Sequence, residues 1–329
     1  MISNQRIFVT GGAGFIARKL ISKIVEENKI VVYDNFCRSS ASEEDFLSHP
    51  NIELVYGDVT DADLLKKSMD GADIVIHTAA IVGIESTIKD PVETMRINLI
   101  GTANVLDAAV HQRSVVRFID FSTSEVFGNY AYKVEESSHA ILGAVGEARW
   151  IYAVSKLAGE HWAHAYFKKY GLPTVTLRPF NIYGPGQIGE GAVSIFIRKA
   201  LANEDLFVFG DGSQIRAWCY IDDMVEAAML ALTRAEAVGE TLNIGNPRAV
   251  VTVHGLAEAV IRSVSSRSRI VFKPALSADI ELRIPKVDKA REILGFEARV
   301  DLDEGLRRTA RWIEQEGDRL PQLSPMFRG

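Results

Sequence analysis

Cysteine is scarce in this chain: Cys37 and Cys219 are the only two in 329 residues. Two thiols build no disulfide framework, so a reducing, cytoplasmic setting is the expectation. No apolar run approaches the roughly 18 residues that a membrane span needs. The start lacks a basic segment followed by an apolar stretch and a small-residue cleavage site, so no signal peptide is expected. Positive charge is also short. Lys and Arg number 37 against 43 Asp and Glu, leaving a net charge of −6 and a pI near 5.7, which argues against a broad nucleic-acid-binding face. Internal repeats, low-complexity tracts and long polar linkers are missing too, which points to one large domain or two closely joined ones. Apolar residues, by contrast, make up 47% of the chain, enough for a well-buried core.

The apolar residues are arranged as alternating strand and helix patterns. Arg6–Thr10 is a short β-rich run, followed by Gly11-Gly12-Ala13-Gly14-Phe15-Ile16-Ala17 and an amphipathic stretch from Arg18 to Glu27. Glycines at a strand-to-helix turn let the backbone approach a pyrophosphate, whose charge meets the free amides at the helix start. Ala17 stands where a third Gly is commonest, and the fingerprint tolerates it. A second strand, Ile30–Tyr33, ends in Asp34, about 20 residues after Gly14, where a carboxylate accepts hydrogen bonds from an adenosine ribose. That charge repels a 2′-phosphate and favours NAD over NADP, although Arg38 nearby keeps NADP open.

Further strands are expected at Ile52–Tyr56, Ile74–Ile76 and Val115–Phe121. They lead into Asp58-Val59, Thr78-Ala79-Ala80 and Ser122-Thr123-Ser124-Glu125 respectively. Such alternation builds an α/β, doubly wound parallel sheet of Rossmann type, with ligands at the carboxyl ends of its strands. Asp58 is a candidate for adenine recognition or a simple turn acid. The small residues 78–80 suit backbone lying against a flat cofactor or merely close packing.

Tyr152 and Lys156 lie four residues apart where a helical pattern begins, so both share one helix face. A cation beside the phenol favours the phenolate, allowing Tyr152 to accept a proton far below its ordinary pKa of about 10. The pair gains weight from its company. Thr10–Ile16, Asp34, Ser122–Glu125, Tyr152 with Lys156, Arg178-Pro179-Phe180-Asn181-Ile182-Tyr183-Gly184-Pro185-Gly186, and Phe209–Trp218 together resemble the extended short-chain dehydrogenase/reductase family of nucleotide-sugar epimerases, dehydratases and decarboxylases. The resemblance runs from about residue 6 to about residue 315.

That resemblance implies a tightly bound, recycled NAD, with Gly11, Gly14, Phe15, Ile16, Asp34, Asp58, Val59, Thr78, Ala79, Ala80, Tyr152 and Lys156 around it. Tyr152 would take the proton from a sugar hydroxyl whose carbon gives hydride to the cofactor. Lys156 would hold the nicotinamide ribose, and Thr123 or Ser124 would bond the same sugar oxygen. Asn181 and Arg216 match positions that grip the nucleotide diphosphate, and Arg283 resembles another arginine of the substrate site. The implied architecture is a Rossmann domain over residues 1–180, with 218–246 returning to it. A smaller nucleotide-sugar domain would comprise 181–217 and 247–329. A homodimer, paired through helices at Leu99–His111 and Val154–Lys169, is implied as well.

Oxidation at C4 of the sugar opens three outcomes: decarboxylation of a uronate, 4-epimerisation, or 4,6-dehydration. Glu125, with Ser122–Glu125, Arg149–Lys156 and Arg283, resembles UDP-glucuronate decarboxylases most closely in the local sense. Decarboxylation therefore leads and 4-epimerisation follows. Glu125 is read as a base or polarising group, or else as a structural acid bonding Arg149. A net dehydrogenase on a non-nucleotide alcohol and a non-catalytic dinucleotide sensor are the weaker readings. The 129–148 stretch reads as a long loop over the sugar, and 302–312 as a final amphipathic helix before a poorly ordered end from Leu320. His161, His164 and Glu160 make too loose a metal signal, so no metal is expected. Trp162, Tyr166, Phe167 and Tyr170 read as core or subunit interface.

Overall fold

The structure is a computed structural model that describes residues 2–37, 48–275 and 279–323. Arg38 and the end of the tail, 324–329, lie outside the described residues. Seven strands form one sheet in the order Thr241–Ile244, Thr174–Pro179, Arg117–Phe121, Ile74–His77, Arg6–Thr10, Lys29–Asp34, Ile52–Tyr56. Every pairing in it is parallel. The order reverses at the first strand, which makes this the doubly wound Rossmann-type sheet the alternation predicted.

Both faces of the sheet are covered, so its central strands are mostly apolar on both faces rather than alternating, with buried polar residues near their carboxyl ends. Ile7, Val9, Ile76, Ile119, Val175 and Leu242 pack into one core, and Phe8, Val31, Val75 and Phe118 into a second on the opposite face. The second core is closed by Gly101–His111 and by the 22-residue helix Arg149–Tyr170, which contributes Ala163. That helix ends where Gly171 adopts a left-handed conformation with φ 72°.

A second, four-stranded sheet runs Val250–Thr252, Ile215–Ala217, Leu282–Pro285, Tyr130–Val134. Its last strand corrects the expectation of an unbroken loop at 129–148: Tyr130–Val134 pairs in parallel with Leu282–Pro285. Within it only Ala131 is buried, and the β-favouring Tyr130 and Tyr132 are exposed. Tyr130, Tyr132 and Val134 favour a strand at alternate positions, and pairing with a partner some 150 residues away fixes it. The final helix, Leu302–Glu316, forms as expected and buries Leu306, Ala310 and Ile313.

Candidate active site

The first strand ends at Thr10, and the chain turns at Gly11 with φ 68°. A Cβ there would sit 2.6 Å from the Ala79 backbone nitrogen. Glycine is therefore required twice over, by conformation and by contact with the next strand's end. Helix Phe15–Ile24 starts directly after Gly14 with no side-chain cap, so its first amides are open toward the turn. A cavity of about 660 Å³ lies along the carboxyl ends of the strands, with Gly11, Gly14, Phe15 and Ile16 at one end.

Asp34, Asp58, Val59, Thr78, Ala79 and Ala80 also line this cavity. Asp34 anchors the turn by accepting from the Ala13 amide at 3.0 Å, and it accepts from Phe36 N at 2.7 Å. Asp58 accepts from the Thr60 amide and hydroxyl and from Asn35. Burial would raise its carboxyl, but these donors hold it below the usual range.

At the other end stand Thr123, Ser124, Glu125, Tyr152, Lys156, Asn181 and Arg283. Strand Arg117–Phe121 delivers the Ser122–Glu125 run, and Thr123 caps the short turn Ser124–Phe127 by accepting from Glu125 N at 3.1 Å. Lys156 is buried and donates to Phe121 O at 2.6 Å. Burial pushes its ammonium pKa down, while Asp120 and Glu160 push it back up. Asn181 donates to Ala217 O at 2.9 Å.

Beneath Lys156 lies a polar row that short motifs do not reveal. Thr10, His77, Asp120 and Thr176 are register partners on adjacent strands, and all are buried. His77 bonds Thr10 at 2.7 Å and Thr102 at 2.9 Å. Burial, then Lys156, pushes the imidazole down to about 3, so it is neutral. Burial raises the Asp120 carboxyl to about 6, with Lys156 opposing. Glu160, one of the loose metal candidates, instead forms a buried fork with Arg178, whose Nη2 approaches to 2.6 Å, and accepts from Ser122. Among the described residues no cluster of three or more His, Cys, Asp or Glu is placed to hold a metal.

Glu125 is the centre of a charged group. Its Oε1 lies 2.9 Å from Arg283 Nη1 and 3.6 Å from Arg149 Nη2. Burial works against its charge, but the two guanidiniums hold its carboxyl below the ordinary glutamate range. Arg216 is the register partner of Arg283 on the neighbouring strand, so both stand on one face of the small sheet. It pairs with Asp279 at 3.5 Å and is not among the cavity-lining residues. Burial, then Arg283, brings its guanidinium down to about 10. Three guanidiniums thus meet two carboxylates here. Arg149 Nε and Nη1 and Arg283 Nε are buried without a hydrogen-bond partner. The 129–148 stretch contributes nothing to the cavity lining.

Residues 7–245 match the NAD dependent epimerase/dehydratase family. The chain belongs to that family: it is an enzyme, and NAD is its cofactor. It is 33% identical to a UDP-N-acetyl-alpha-D-glucosaminuronate decarboxylase of Bacillus cytotoxicus, over 94% of this chain and 98% of that one. It is 36% identical to UDP-glucuronic acid decarboxylase 6 of Arabidopsis thaliana, over 92% and 87%. Among solved structures, UDP-glucuronic acid 4-epimerase from Bacillus cereus, in complex with UDP-glucuronic acid and NAD, is similar with a TM-score of 0.87. That chain is 28% identical, and the match covers 94% of this chain and 99% of it.

Proposed function

We propose that this enzyme decarboxylates a UDP-uronate through a 4-keto intermediate. The observation that carries the reading is the guanidinium group around Glu125, with buried nitrogens of Arg149 and Arg283 still unpaired. An unpaired buried donor is costly, and an anionic sugar substituent would relieve it. The relatives named for UDP-uronates supply the nucleotide and the sugar class.

Bound NAD supplies the acceptor and donor of hydride at C4. The glycine turn would hold its pyrophosphate, Asp34 its adenosine ribose, and Tyr152 with Lys156 its nicotinamide end. Tyr152 takes the C4 hydroxyl proton, and the Lys156 ammonium stabilises the phenolate. Thr123 and Ser124 orient the same oxygen. Once C4 is a ketone, the C5–carboxylate bond would break: its electrons pass into the enolate, CO₂ leaves, a proton from solvent takes its place on C5, and C4 would regain its hydride from the cofactor and its hydroxyl proton from Tyr152.

Glu125 decides between the competing outcomes. A carboxylate held ionised by two guanidiniums is a poor proton acceptor, so it is ill suited to strip the C5 proton that 4,6-dehydration must lose. Decarboxylation requires no such base. Glu125 would also keep Arg149 and Arg283 from gripping the leaving carboxylate too strongly, since ground-state binding alone does not accelerate the step. Epimerisation at C4 is the second reading, because the similar 4-epimerase structure also carries a uronate.

We also propose a homodimer. Pro91, Val92, Met95, Leu99, Ile100 and Ile151 line an apolar groove beside the long helix. Val92 and Ile100 are 67% and 49% exposed on the single chain. No helix among the described residues is long and apolar enough to cross a membrane. With the exposed thiol of Cys37, this suits a reducing cytoplasm.

The deciding experiment incubates the purified enzyme with UDP-glucuronate and UDP-N-acetylglucosaminuronate and follows products by mass and NMR. Loss of CO₂ is expected. Unchanged mass with inverted C4 would make the enzyme an epimerase, and loss of water a dehydratase.

A further inference from the structure

Two segments about 100 residues apart in the chain meet on the rim of the cavity. One is the start of the short helix Ile84–Lys89, preceded by Gly83. The other is the stretch from Gly184 to Gly191, which leads into helix Ala192–Leu201. Val82, Gly83, Ile84 and Thr87 from the first segment and Gln187 and Ile188 from the second line the cavity.

Glu190 joins them. Its Oε2 accepts from the Glu85 amide at 2.8 Å, and its Oε1 accepts from the Ser86 amide at 3.1 Å and the Ser86 hydroxyl at 2.9 Å. A carboxylate is thereby used as the missing cap of a helix that has no capping side chain of its own. Gly83 is shaped for it. Its φ is 109°, and a Cβ there would lie 2.7 Å from the Glu190 carboxylate. The glycine leaves room for a side chain that arrives from more than 100 residues away.

The same stretch spans the cleft. A Cβ on Gly186 would lie 3.6 Å from the Phe15 ring and 3.8 Å from Arg18, so this end of the strap rests on the helix start that follows the glycine turn. The strap is pinned from below by Gln187 Nε2 donating to Ile182 O at 3.0 Å and by Ser194 Oγ donating to Gln187 O at 3.3 Å. It therefore runs from the pyrophosphate end of the cofactor cleft to the Gly83–Ser86 rim, where Glu190 fastens it.

We propose that Glu190 is a cofactor-retaining residue: its carboxylate fastens the 184–191 strap across the cleft and holds NAD in place through the catalytic cycle. A reaction that reduces and then reoxidises the same cofactor molecule needs NAD to stay while the sugar comes and goes. The clasp closes the cleft without touching the reacting atoms. The inference rests on NAD as cofactor and not on the fate of the sugar.

The test measures NAD itself, in the absence of sugar. Wild type, Glu190→Ala and Glu190→Leu are purified identically, their bound NAD is quantified after denaturation, and its dissociation is timed in a chase. Both variants are expected to release NAD at least tenfold faster than wild type and to purify with less of it. The melting temperature of the NAD-stripped proteins should stay close to wild type. A dissociation rate within twofold of wild type would overturn the proposal, as would faster release matched by an equal loss of stability in the stripped protein. Should the variants fail to fold, hydrogen exchange on the wild-type holoenzyme decides. The Glu85 and Ser86 amides should be protected with NAD bound, and unprotected exchange there rules the clasp out.

Discussion

Tyr152, Glu125 and Asp120 carry separable consequences. Tyr152→Phe removes the proton acceptor while keeping the ring, so turnover should fall by about 10²–10⁴-fold with NAD binding intact. Near-normal turnover would remove Tyr152 from the chemistry. Glu125→Gln leaves Arg283 without the anion it now meets at 2.9 Å. The expectation is that CO₂ release falls by about 10²–10³-fold while the first sugar oxidation, read as transient NAD reduction, persists. Unchanged product formation would return Glu125 to a purely structural role. Asp120 predicts a pH signature in stability. Its carboxyl ionises at about 6 when folded and at about 3.9 when unfolded. Between these values the unfolded state has lost the proton that the folded state keeps, so stability falls as pH rises and levels off above about 6. Relative to Asp120→Asn, wild type should lose about 2–3 kcal/mol across that window in urea titrations. Parallel curves for the two proteins would mean that the carboxyl is not desolvated.

Legibility in the chain depended on whether an element's determinants were local. The first strand, the glycine turn and the helix after it carry their signals within about 20 residues: the strand formed at Arg6–Thr10 as expected, while the helix begins at Phe15, three residues before the expected Arg18, and ends as an α-helix at Ile24. Helix Arg149–Tyr170 also carries its signal locally, putting Tyr152 and Lys156 on the cavity wall. The loop reading of 129–148 misses strand Tyr130–Val134 although Tyr130, Tyr132 and Val134 favour a strand, because its pairing partner, Leu282–Pro285, lies about 150 residues away. The turn supplies a sharp test at this scale. Gly11→Ala forces a left-handed alanine and a 2.6 Å approach to Ala79 N. It should destabilise the fold by about 1–3 kcal/mol and weaken NAD binding at least tenfold. Calorimetry of folding and of NAD binding reads both, and wild-type affinity in the variant would mean that the turn does not approach the cofactor.

At the scale of the whole molecule, the apolar groove beside helix Arg149–Tyr170 predicts association. Val92 and Ile100 are exposed on the single chain, so Val92→Glu and Ile100→Glu should leave its fold intact. Sedimentation is expected to give a dimer for wild type and a monomer for the variants. A wild-type monomer at micromolar concentration would dispose of the interface. Folding also assembled the charged end of the site. Arg149, Arg216, Asp279 and Arg283 converge around Glu125 from segments more than 150 residues apart at the extremes.

The sequence by itself determined the doubly wound sheet, the glycine turn and the Tyr152–Lys156 pair, because each rests on spacing within a strand, turn or helix or on their succession along the chain. Tertiary structure alone decided that Glu125 meets two guanidiniums, that Asp120 and His77 lie in one buried row with Thr10 and Thr176, and that Glu190 caps a helix about 100 residues away. Charge and hydrogen-bond partners of this kind are set by distance in space, which backbone periodicity does not encode.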